Sequence, residues 1–135
     1  ATGYIDTNYE GKAEYALDAL EKIDFVFIHI EAPDECGHTA DLENKIRSIE
    51  AIDEKIVGKI IRELPSIDED FKILILPDHP TPVAVRTHTP DPVPFLIYSS
   101  EKPLRGEENF SENWGKERNY FIEEGNKLIE IFLKR

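Results

Sequence analysis

One cysteine, one tryptophan and no methionine occur in the 135 residues, and glutamine is missing as well. Cys36 has no second thiol with which to close a disulfide, so a packed core must hold the fold, and a reducing compartment is the expectation. Apolar runs are short, none near the roughly 20 residues that cross a bilayer. No membrane partner is expected, and the expected location is cytoplasmic. Positive charge is scarce: 16 Lys and Arg stand against 28 Asp and Glu, a formal net charge of -12 with a pI near 4.7. Such a surface repels a polyanion, which removes nucleic acid from the expected partners. Most of the acids sit among lysines on helical stretches, the ordinary pattern of a solvated face. The missing methionine and the opening Ala1-Thr2-Gly3-Tyr4 lead to the expectation of a piece of a longer protein. Abundant Ile, Lys and Glu beside absent Met and Gln also resemble thermophile composition.

What is present suits one compact domain, since a chain of this length hides roughly two-thirds of its unfolded surface. Ala13, Ala16, Leu17 and Leu20 recur at helical spacing over residues 11–22. Residues 23–30 then turn almost continuously apolar, which predicts a central parallel strand covered on both faces, with His29 a hydrogen-bonded core histidine. After Pro33 comes a polar turn, Asp34 to His38, and then a long stripe of Leu42, Ile46, Ile49, Ile52, Ile56, Ile60 and Leu64 that Pro65 ends. Asp41 and Glu43 stand at the positive end of that helix. Residues 71–76 and 93–98 read as further buried strands, 105–115 as an exposed polar loop, and 116–134 as a closing helix carrying Tyr120, Phe121, Leu128, Ile129, Phe132 and Leu133. Strands separated by helices predict an α/β fold with a mostly parallel sheet flanked by helices. In such sheets ligands bind beyond the carboxyl ends of strands, where Asp34 to His38 and the Asp78-His79 pair are predicted to lie.

Three of the four histidines fall in loops near carboxylates: His38 four residues after Asp34, His79 directly after Asp78, and His88 in the proline-rich segment from Thr81 to Pro92. Carboxylate oxygen and imidazole nitrogen without thiolate suit zinc or manganese, with magnesium less at home. Asp34, His38, Asp78, His79 and His88 are therefore the expected metal ligands, with Gly37 permitting a tight turn between the first two. Adjacent Asp78 and His79 can face different ions, and a pair of ions about 3.5–4 Å apart suits in-line displacement at phosphorus. Five ligands do not fill two ions, so further ligands are expected from outside the chain. Arg86 is the candidate for a bidentate contact with phosphate or carboxylate. Thr39, Thr87 and Thr89 read as capping or turn residues rather than nucleophiles, and Cys36 as a small filler.

The stretches EAPDECGHTADLENKIRSIEAID and ILPDHPTPVAVRTHTPDPVPF resemble the two metal motifs of cofactor-independent phosphoglycerate mutases, specifically the archaeal-type branch, and TGYIDTNYEGKA is similar to that branch as well. The family belongs to the alkaline phosphatase superfamily. The resemblance implies that residues 1–135 are the C-terminal half of a phosphatase-like domain, without the N-terminal part and the inserted substrate domain. It implies that Asp34, His38 and His88 hold one divalent ion and that Asp78 and His79 contribute to a second, the ions being manganese, zinc or magnesium. A serine nucleophile and a further aspartate are expected outside this chain. The implied reaction interconverts 3-phosphoglycerate and 2-phosphoglycerate through a phosphoserine, an isomerase step of glycolysis. A homoserine kinase-like phosphotransferase of the same superfamily and a stand-alone metal-binding domain are the alternatives.

Overall fold

The computed structural model describes residues 4–103, 110–117 and 120–134. Residues 1–3 and residues 105–109 of the predicted loop lie outside the described residues, and residues 112–115 of that loop are helical. The chain divides into two compact units, residues 1–69 with 80–90, and residues 70–79 with 91–135.

The first unit is helical. Helix α1 (Tyr9–Leu20) begins at Asn8, whose side chain accepts the Gly11 N–H, and it buries Ala13, Ala16 and Leu17 as their spacing predicts. Helix α2 (Ala32–His38) takes the place of the predicted polar turn, with Pro33 in its first turn where a missing N–H costs nothing. The carbonyls at its end are closed by Ala40 N–H to Gly37 O at 3.1 Å and Asp41 N–H to Cys36 O at 2.8 Å, a Schellman pattern. Ala40 sits at φ 58° to make that turn. Left-handed backbone costs a β-carbon residue about 1–2 kcal/mol, whereas glycine costs about 0.4–1 kcal/mol through the unfolded chain. Ala40→Gly is therefore expected to stabilise the protein by about 0.5–1 kcal/mol; a lower melting temperature in a thermal scan would contradict this.

Helix α3 (Leu42–Ala51) starts at Asp41, whose carboxylate accepts the Asn44 N–H at 3.0 Å. That bond, joined by the Asn44 side-chain amide, holds the Asp41 carboxyl below the usual range. The predicted stripe does not stay on one face. A π-helical turn (Ile52–Val57) interrupts the rod before α4 (Gly58–Glu63) and a 3₁₀ turn (Leu64–Ser66) that contains Pro65. One extra residue in a turn rotates everything after it by about 100°. Ile56 and Leu64 are accordingly buried, while Leu42, Ile46 and Ile49 are exposed. The core gathers Tyr9, Ala13, Ala32 and Ile56, with Ile28, Ile30, Ile52 and Ile60 packed against it.

The strand pairing among the described residues does not include the predicted central strand over 23–30. Residues 25–30 alternate in exposure: Ile28 and Ile30 meet the core, and Phe25 and Phe27 face outward. His29 is on the outward side, stacked on Phe27 and 3.7 Å from Glu31, so it is not a core histidine.

In the second unit β1 (Lys72–Ile75) and β2 (Leu96–Ser99) pair antiparallel, Lys72 opposite Ser99 and Ile75 opposite Leu96. Strand pairing among the described residues is this two-stranded antiparallel sheet, in place of the expected parallel one. Ser100 extends the ladder by accepting the Phe71 N–H on its hydroxyl and donating its own N–H to Phe71 O. Two short helices, α5 (Glu112–Glu117) and α6 (Leu128–Leu133), replace the single predicted closing helix. Leu128 is buried, whereas Tyr120 and Phe121 are exposed and non-helical.

Candidate metal centre

Asp34 and His38 are four residues apart on α2, so a helical period sets both on one face. His88 arrives from the loop of residues 80–90, which is pinched at its base by the Thr89 N–H bonding Pro80 O at 3.1 Å. Its turn is shaped by Val85 and Arg86 N–H groups that both reach Pro82 O. The three side chains converge. His38 Nε2 lies 3.1 Å from His88 Nε2 and 3.3 Å from Asp34 Oδ2, and His88 Nε2 lies 3.4 Å from Asp34 Oδ1. Each residue offers a ligand atom within 4.8 Å of the others.

The donor set and its spacing fit a metal ion. A tetrahedral zinc with ligands at about 2.0–2.2 Å holds its donors about 3.3–3.6 Å apart, close to the separations found here. The tautomer of His38 fits as well. Its Nδ1 lies 3.0 Å from Arg86 O, a carbonyl that can only accept, so Nδ1 carries the proton and Nε2 presents its lone pair to the cluster. Arg86 reaches that position with φ 60°, so the strained residue aims its backbone oxygen at the ring. All three side chains keep part of their surface open to solvent, which leaves room for a further ligand such as water or an anionic substrate.

Of the other expected site residues, Asp78 and His79 belong to the second unit, just past the carboxyl end of β1. There the His79 N–H donates to Asp78 Oδ1 at 3.1 Å, and the imidazole Nε2 is 3.4 Å from Asp78 Oδ2. Arg86 is exposed. Cys36 is buried on α2, and burial, reinforced by the Asp41 charge, pushes its thiol up. Thr39 caps the end of α2, its hydroxyl donating to Glu35 O at 2.9 Å.

Sequence reading missed Thr81 and Lys45 at this site and gave Gly37 a different role. Gly37 is helical, and what its missing side chain permits is close approach: a β-carbon there would lie 2.3 Å from Thr81 O. Thr81 itself is buried and its hydroxyl donates to Asp34 Oδ1. Lys45 reaches across from α3 to Thr81 O at 2.7 Å. These contacts join residues 36 to 47 positions apart, a range no local motif encodes.

A carboxylate and two imidazoles converging on one point define a candidate divalent-metal centre. The chain belongs to the Metalloenzyme superfamily, whose sequence profile matches residues 1–122. It is 47% identical over 99% of its length to a 2,3-bisphosphoglycerate-independent phosphoglycerate mutase of Methanosarcina mazei, and 45% identical over its whole length to a probable one of Geobacter sulfurreducens. It spans 34% of each of those proteins. A solved structure from Pyrococcus horikoshii matches 72% of the chain at 40% identity with a TM-score of 0.64, the chain covering 28% of that protein. The resemblance drawn from the paired motifs therefore holds across the chain.

Proposed function

We propose that the chain is the metal-binding part of a cofactor-independent phosphoglycerate mutase, acting on 3-phosphoglycerate and 2-phosphoglycerate. The observation that carries the reading is the convergence of Asp34, His38 and His88 at ligand spacing, on a chain similar over its full length to enzymes of that name. Asp34, His38 and His88 hold one divalent ion, manganese, zinc or magnesium, and Asp78 and His79 contribute to a second. Such ions, when bound, neutralise charge that grows on the transferring phosphoryl group.

The residues of this chain then have distinct tasks. Arg86 O fixes the His38 ring, Asp34 and His88 complete the ligand face, and the guanidinium of Arg86, an exposed residue, takes a phosphate or carboxylate oxygen of substrate. The serine nucleophile and the groups that select substrate belong to the remainder of the longer protein, of which residues 1–135 form the C-terminal half of a phosphatase-like domain. In that domain residues 25–30 join a mostly parallel sheet; the alternation of exposed Phe25 and Phe27 with Ile28 and Ile30 on the core supports this, since apolar side chains on both faces are the pattern of a strand covered on both sides.

The test is an assay of the full-length protein carrying this chain. With manganese it is expected to interconvert the two phosphoglycerates and to become phosphorylated on serine, and not to use ATP and homoserine. Phosphorylation of homoserine from ATP with no mutase activity would overturn the reading.

A further inference from the structure

We infer that Thr81, tethered by Lys45, is a positioning residue that presents Asp34 to the metal. The inference rests on the metal reading above and adds residues to it that are not ligands themselves. Thr81 is 5% exposed, so its hydroxyl has little access to water. It meets Asp34 Oδ1 at 2.5 Å, and because a carboxylate only accepts, the hydroxyl donates. A hydroxyl donating to a carboxylate makes a charge-assisted O–H···O bond, roughly twice as strong as one between neutral groups. It fixes the plane of the carboxylate, leaving Oδ2 beside His38 Nε2.

Thr81 is in turn held on two sides. The Lys45 ammonium donates to its carbonyl at 2.7 Å, and the bare α-carbon of Gly37 lets that carbonyl lie against α2. Because Thr81 and His88 share the loop closed at Pro80 and Thr89, the same contacts that orient Asp34 set the distance between α2 and the loop's own ligand. Lys45, Thr81 and Gly37 thus couple α3, the loop and α2 into one support for the three ligand atoms. Hydroxyl and carbonyl partners outside the ligand set commonly change metal affinity by about 10–100-fold.

The experiment uses the full-length protein and manganese(II) alone, titrated in competition with a chromophoric chelator. The binding step lost in Asp34→Ala identifies this site, and that step is followed in Thr81→Val, Thr81→Ser and Lys45→Met, with melting temperatures recorded in excess chelator. Thr81→Val is expected to weaken that step by about 10–100-fold, with Thr81→Ser restoring it and both variants melting alike without metal. Lys45→Met, which leaves the buried hydroxyl in place, is expected to weaken it in the same direction. Wild-type affinity in Thr81→Val, or equal weakness in Thr81→Ser, would overturn the role of the hydroxyl; unchanged affinity in Lys45→Met would overturn the tether. Were Asp34→Ala to bind manganese like the wild type, the metal reading itself would fail and this inference with it.

Discussion

Replacing His38 with alanine is expected to empty the metal position on α2 and to lower phosphoglycerate interconversion by about a thousandfold or more. The size follows from what an ion contributes. Charge stabilisation by a bound metal is worth several kcal/mol in the transition state, and each 1.36 kcal/mol is about a factor of ten in rate. His38 is the side chain whose loss does most, because its Nε2 faces both Asp34 and His88, at 3.3 and 3.1 Å. Its removal leaves two donors, too few to hold an ion against water. His29→Ala makes the control: that ring is exposed and stacked on Phe27 outside the cluster, so turnover should remain near wild type. The measurement is initial rate against manganese concentration in the full-length protein, with circular dichroism confirming the fold. A His38→Ala enzyme that reaches wild-type rate at any metal concentration contradicts the assignment only if it also binds manganese normally; a rate rescued by excess metal shows weakened binding instead.

Gly37→Ala is expected to damage both stability and metal binding, against the ordinary preference of helices. In an exposed helix interior alanine is better than glycine by about 1 kcal/mol. Here the added β-carbon would lie 2.3 Å from Thr81 O, 2.8 Å from Thr81 Cγ2 and 3.0 Å from Lys45 Nζ. Lysine can swing away, but a backbone carbonyl cannot move without its loop. Overpacking of this kind typically costs about 1–3 kcal/mol, so steric conflict outweighs propensity. The loop that must retreat carries His88, and Thr81 with it, so two of the contacts around Asp34 loosen together. Denaturant unfolding and manganese titration of the variant read the two effects separately. A stabilised variant with unchanged affinity would show that the loop does not sit on α2 in solution.

The candidate ligands Asp34 and His38 are legible in the sequence because their spacing is local chemistry. Asp34 and His38 are one helical turn apart, and either a turn or a helix brings them to one place, so the pairing survived the wrong element assignment. His88 was legible from its motif rather than from physics, since nothing in residues 80–90 by themselves says which helix they will meet. Thr81, Lys45 and the backbone of Arg86 were invisible for the same reason: their importance is created by contacts across 36 to 48 positions. The long helix was read correctly as an amphipathic stretch, but its π-helical turn was not, because one inserted residue changes the facing of Leu42, Ile46 and Ile49 without leaving a local mark. The strand over 23–30 shows the opposite failure. Its composition anticipates cover on two faces, and among the described residues Val26, Ile28 and Ile30 are half-buried while Phe25 and Phe27 are exposed.

The central claim is that Asp34, His38 and His88 are ligands of one ion, and crystallographic anomalous scattering tests it most directly. Crystals of the zinc-loaded full-length protein, measured on either side of the zinc absorption edge, are expected to show a peak about 2.0–2.2 Å from an Asp34 carboxylate oxygen and from Nε2 of both His38 and His88. Fully occupied zinc elsewhere in the protein, with these three side chains still meeting one another directly, would contradict the account.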